Sequence, residues 1–236
     1  MKTKFIAFVI ALILSSAISA QTTSGGNSVY IDQTNADNSS VTITQTGANN
    51  TVGDPTSLTA PAFSFDGNGI TANITQDGMN NAITGNIVGG GTTANITQTG
   101  NGNSTNLNMG NMGTDNGILN MTFTGNNNTN ALNIGINRDS SNYNYALTVT
   151  GNSNSITSNI NSKNTNNNIT VTGDSNTITT TQTGANGTTQ TGGHNLTISN
   201  IGSNNTIGVL QNGATNPNSA TINVTGSNAS VFVTQH

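Results

Sequence analysis

The stretch Val41-Thr42-Ile43-Thr44-Gln45-Thr46-Gly47-Ala48-Asn49-Asn50-Thr51-Val52 decides the fold. Its first half alternates apolar and polar residues with period two, the mark of a strand with one buried face. Gly47 and Asn50 then supply turn chemistry. Gly takes positive φ without steric cost, and Asn bonds to its own backbone and tolerates the left-handed region. The phrase returns along the chain. Its glycine recurs at Gly47, Gly78, Gly100, Gly125, Gly151, Gly173, Gly202 and Gly226. The asparagine three places on recurs at Asn50, Asn81, Asn103, Asn128, Asn154, Asn176 and Asn205. The glycine intervals are 31, 22, 25, 26, 22, 29 and 24 residues. A period in the twenties means one supersecondary unit repeated along an axis, a solenoid.

Each unit reads as strand, turn, strand, turn. Side chains six, four and two places before the glycine share one face and form the expected core. They are Val41, Ile43 and Gln45 in the first unit, Leu119, Met121 and Phe123 in the fourth, and Ala220, Ile222 and Val224 in the last. The opposite face is mostly Thr. Second strands follow the turns, as in Ile83–Ile87, Leu132–Ile136, Ile178–Gln182, Ile207–Gln211 and Val231–Gln235. An isolated two-stranded hairpin is marginal in water, so the coils must stack, each strand pairing with its counterpart above and below. The expected fold is therefore all-β: a β-solenoid of about eight strand–turn–strand coils in cross-β stacking. At about 4.8 Å per rung the column would be roughly 40 Å tall. Inward amides would bond from rung to rung, with Gln33, Gln45, Gln76, Gln98, Gln182, Gln211 and Gln235 as the polar-ladder candidates.

Composition agrees. The chain has 236 residues, of which 31% are hydrophobic and 5% charged, against roughly 25% charged in ordinary globular domains. There is no Cys, Trp or Glu. Residues 1–20 read as a signal peptide: Lys2 and Lys4, then an apolar run from Phe5 to Leu14, then small residues ending at Ala20. Cleavage is expected after Ala20, with Ser19 as the competing site. A short flexible lead, 21–28, precedes the repeats at 29–236, which carry insertions at 53–69 and 183–195. Phe63-Ser64-Phe65 in the first insertion reads as a displaced second strand. After cleavage, Arg138 and Lys163 face eight aspartates, a balance that attracts no nucleic acid. Secretion without cysteine leaves stability to backbone pairing and packing.

The segment Val29-Tyr30-Ile31-Asp32-Gln33-Thr34-Asn35-Ala36-Asp37-Asn38, followed by Gln45-Thr46-Gly47-Ala48-Asn49-Asn50, resembles a curlin repeat. The half-repeat returns at Gln182-Thr183-Gly184-Ala185-Asn186 and Gln211-Asn212-Gly213-Ala214-Thr215-Asn216. Curlins are the subunits of curli, the functional amyloid fibres of bacterial biofilms. The resemblance spans roughly residues 29–236. It implies a secreted homopolymer at the cell surface, a related nucleator subunit and an outer-membrane export pore. The sequence departs from the pattern where Phe123, Val149, Val171, Asn200 and Val224 replace the first ladder glutamine.

No constellation for catalysis, metal or cofactor binding stands out, and no small-molecule substrate is expected. His194 reads as a solvated loop residue, and His236 is the last residue given. Val231, Phe232 and Val233 read as an assembly end, since nothing after them in this sequence caps the last coil. Two other readings stay open: a monomeric secreted solenoid adhesin, and an ice-binding protein using the outward Thr array.

Overall fold

The computed structural model describes residues 17–22, 26–29, 31–33, 39–53, 63–65, 69–87, 91–100, 102–109, 117–125, 127–134, 143–151, 153–160, 165–173, 175–183, 194–202, 204–212, 218–226 and 228–235. All of its regular structure is strand. In chain order these are β1 (Ala17–Thr22), β2 (Ile31–Gln33), β3 (Ser40–Thr46), β4 (Phe63–Phe65), β5 (Thr71–Asp77) and β6 (Ile83–Ile87). Next come β7 (Thr93–Thr99), β8 (Thr105–Met109), β9 (Ile118–Thr124), β10 (Thr129–Ile134), β11 (Tyr143–Thr150) and β12 (Ser155–Ile160). The last are β13 (Thr165–Thr172), β14 (Thr177–Thr183), β15 (Asn195–Ile201), β16 (Thr206–Asn212), β17 (Ser219–Thr225) and β18 (Ser230–Gln235).

Odd and even strands part into facing sheets. One sheet has nine strands in the order β1-β3-β5-β7-β9-β11-β13-β15-β17. The other has seven, β6 through β18 by even numbers, and β2 with β4 forms a short two-stranded sheet. Ladders are parallel, and equivalent positions of successive units fall in register because the unit repeats, as where Gln76 meets Gln98 and Thr148 meets Thr170. This is a β-solenoid.

Alternation produces the core. β3, β5 and β9 bury every second residue. Val41, Ile74, Ile96, Leu119, Leu147 and Ile198 are among the buried side chains, joined from the facing sheet by Ile83, Leu107, Leu132, Ile156 and Ile207. A fourth inward column, eight places before each glycine, extends this face. It holds buried Ser39, Ile70, Thr92, Tyr143 and His194. Column neighbours are matched in size: the Tyr143 ring lies where Gly117 leaves room, and a Cβ on Gly117 would sit 2.1 Å from Tyr143 Cε1. Gly117→Ala should cost about 1–3 kcal/mol by overpacking, seen as a lowered Tm.

Four expectations need correction. His194 is not a solvated loop residue. It is 1% exposed, and its Nδ1 lies 3.1 Å from Asn218 Oδ1. The parity that buries the strand carries one residue further than its first hydrogen-bonded position. Residues 21–28 are not simply a flexible lead, because Gln21 and Thr22 complete β1 and Asn27 is buried. The insertion bounded at 183–195 is shorter at its ends, since Thr183 belongs to β14 and Asn195 to β15. Residues 184–193 lie outside the described residues. Gln33 stands opposite Phe65 on its ladder, so no amide follows it in register. Phe63–Phe65, in contrast, is a second strand as expected, pairing with Ile31–Gln33 and lying beside β6.

Candidate functional site: the amide columns and the last rung

The turn is built from the glycine outward. Gly47, Gly78, Gly100, Gly125, Gly151, Gly173 and Gly202 have φ between 141° and 156°. Their larger constraint is proximity. A Cβ on Gly125 would lie 1.5 Å from the Gly100 carbonyl oxygen, and one on Gly100 would lie 1.3 Å from that of Gly78. Each glycine N–H also donates across rungs, as Gly125 does to Thr150 O at 2.9 Å. Gly226 lies outside the positive-φ range, yet a Cβ there would still meet Gly202 O at 1.6 Å. From the fourth turn glycine on, the left-handed residue is two places later: Asn127, Ser153, Ser175, Asn204 and Asn228 have φ of 59° to 65°.

The asparagine three places after the glycine has a different task from the expected one. Asn50, Asn81, Asn103, Asn128, Asn154 and Asn176 are at most 2% exposed and hydrogen-bond to one another in a single file. From Asn81 on, each Nδ2 donates to the Oδ1 of the preceding rung: Asn81 to Asn50 at 2.5 Å, Asn103 to Asn81 at 2.6 Å, Asn154 to Asn128 at 2.6 Å and Asn176 to Asn154 at 2.5 Å. Asn128 donates to Asn103 in the same way. Donors point one way, so the column is polar along its axis. It breaks at Asn205, whose amide turns to Asn200 Oδ1 and to Gly202 O at 2.8 Å. The reason is Asn200, an acceptor where the flanking rungs have Val171 and Val224.

Glutamines divide between the sheets. Gln45, Gln76 and Gln98 stack on the nine-stranded sheet near one end; Gln182, Gln211 and Gln235 stack on the seven-stranded sheet near the other. Two steps are true amide ladders: Gln45 Nε2 donates to Gln76 Oε1 at 2.8 Å, and Gln182 Nε2 to Gln211 Oε1 at 3.2 Å. Gln45, Gln76 and Gln98 also donate to the carbonyls of Thr51, Ala82 and Ser104, six residues on. They therefore tie their own turns as well as the stack. Where the ladder glutamine is absent, polar side chains bridge the core instead. Asn130 Nδ2 donates to the buried Tyr145 hydroxyl at 3.1 Å, and Asn167 Nδ2 to Gln182 Oε1 at 3.0 Å. Burial pushes the Tyr145 phenol above its ordinary range, so it stays protonated.

The last rung is the exception to burial. Val231 and Val233 occupy the columns of Ile207 and Val209, which are at most 4% exposed, yet they are 47% and 45% exposed. Phe232, in register with Gly208, is 59% exposed. Ile222 and Val224 are half-buried. Among the described residues no cluster of three His, Cys, Asp or Glu side chains gathers. No family model, curated protein or solved structure matches the chain.

Proposed function

We propose that this protein is a secreted structural subunit whose solenoid of eight coils, counted from Gly47 to Gly226, adds end to end into curlin-like amyloid fibres. The observation that carries the reading is the exposed last rung. Its columns repeat those of the rung beneath, so a further rung of the same phrase would bury Val231 and Val233 as β18 buries Ile207 and Val209. A contact between two different faces does not close on itself and generates filaments. The fibre would serve biofilm matrix and adhesion outside a bacterial cell. The curlin resemblance adds a nucleating relative and an outer-membrane pore as partners.

Electron microscopy and fibre diffraction on residues 21–236, diluted from denaturant, should give unbranched filaments with a 4.7–4.8 Å meridional reflection. The variant Val231→Asp with Val233→Asp should keep its β circular dichroism and lose elongation, because a charge at each core column of the contact would be buried unpaired. Filaments from that variant at the unmodified rate would sink the reading.

A second reading draws on the outward Thr columns. Thr97, Thr122, Thr148 and Thr170 stand in one file, with Thr99, Thr124, Thr150 and Thr172 beside them. Thermal hysteresis from a filament-free solution separates ice binding from the fibre.

A further inference from the structure

The column does not begin where the repeat phrase begins. β1 pairs in parallel with β3 over six residues, from Ala17 opposite Ser40 to Thr22 opposite Gln45. That register extends the repeat backward. Counted on in sequence, Ser24 falls at the offset of the turn glycine, Gly26 follows two places on with φ 92°, and Asn27 stands three places on. Asn27 is 3% exposed and its amide donates to Thr46 O at 3.4 Å, while Val29 N–H donates to Thr51 O at 3.2 Å. β1, residues 26–29 and β2 thus supply one more rung, with β2 as its second strand. Against this rung Val41, Ile43, Gln45 and Asn50 are at most 1% exposed.

The bond expected to be cut, Ala20–Gln21, lies inside β1. Cutting there removes four of the six paired residues, including Ile18 and Ala20, the ladder partners of Val41 and Ile43. What remains of the rung is two residues of β1, the bonds of Asn27 and Val29, and β2, only three residues long. The bared edge of β3 then offers unpaired backbone groups beside newly uncovered apolar side chains, a template for another strand. The matching strand is at the other end of the same molecule. β17 carries Ala220, Ile222 and Val224 at the offsets of Val41, Ile43 and Gln45, with Gly226 at that of Gly47. Rungs of this phrase already pair in register within the chain, as β15 and β17 do.

We infer that Ala17–Ala20 is a removable cover on the N-terminal growth face, and that β17 and β18 of a second copy of this chain displace what remains of β1 and β2 once the leader is cut. The inference rests on the filament reading and on residues 1–20 being a cleaved leader. It couples processing to assembly: the uncut chain lacks an acceptor face.

A disulfide tests it. Adjacent strands lie about 4.8 Å apart, within the Cα range a disulfide accepts, and the chain has no other cysteine. Ser19 and Thr42 are ladder partners, and Thr42 is exposed. The folded full-length chain carrying Ser19→Cys and Thr42→Cys is oxidised, then cut after Ala20 with signal peptidase. The leader stays tethered until reductant is added. Elongation on filament seeds should rise at least about tenfold on reduction, with no change for the uncut, unsubstituted chain in the same reductant. Equal elongation before and after reduction, with filaments in both, overturns the cover and leaves the filament reading standing. Absence of filaments even after reduction overturns both.

Discussion

Replacing Gly125 with Ala should break the column at its middle. The added Cβ would sit 1.5 Å from the Gly100 carbonyl oxygen, a backbone atom fixed by its own ladder. Gly125 also holds φ at 148°, where an L side chain is strained. Strain of that kind costs about 1–3 kcal/mol, and the backbone clash adds to it, so a total above about 4 kcal/mol is expected. Because each rung touches only its neighbours, the loss should be local at first. Amide hydrogen exchange should accelerate in β7, β9 and β11 before the distant strands respond. A urea midpoint shifted by less than the equivalent of about 1 kcal/mol would show that the rung can slide, and that the close approach is not a constraint.

Asn128→Ala should be nearly as damaging, for a chemical reason. Asn128 donates to Asn103 and accepts from Asn154, and all three are buried. Truncation leaves one buried acceptor and one buried donor without each other or a replacement. At about 1–3 kcal/mol for each orphaned group, the expected loss is about 3–5 kcal/mol. Asn95→Ala is the control. Asn95 sits in an outward file, donating to Asn73 at 2.8 Å and accepting from Asn120 at 2.9 Å, both exposed pairs. Water can replace those bonds, so a change within about 0.5 kcal/mol is expected. Equal losses from the two variants, measured by urea unfolding, would mean that burial is not what makes the inner file matter.

Strand positions and faces were legible in the sequence because both are local. Period-two alternation names the buried side chains, and a glycine every twenty-odd residues fixes the register. What escaped depends on neighbours above and below. Asn128 reads locally as a turn former; its burial comes only from the asparagines stacked on either side. The left-handed position at Ser153 and Ser175 carries no local mark, since serine is not a residue that favours it. The extra rung was hidden by Ser24 falling, counted in sequence, at the offset where the other turns have glycine, although Gly26 and Asn27 keep the phrase behind it. His194 was recoverable from parity, eight places before Gly202 on the inward face, but a flanking insertion made it look like loop. Glutamines at 45, 76 and 98 were correctly stacked in register, whereas their bonds to turn carbonyls could not be read from spacing.

Parallel ladders that run along the column have a mechanical consequence. Backbone hydrogen bonds between rungs lie nearly parallel to the column axis, so tension along that axis pulls them along their length. Load then falls on one rung's bonds at a time, and the column yields by peeling rather than by shearing whole strands past one another. With 22 to 31 residues between turn glycines and about 3.4 Å of extended chain per residue, each rung that lets go pays out about 75–105 Å. A thread made of such columns would lengthen in steps under strain, and it could shed a sudden pull without parting.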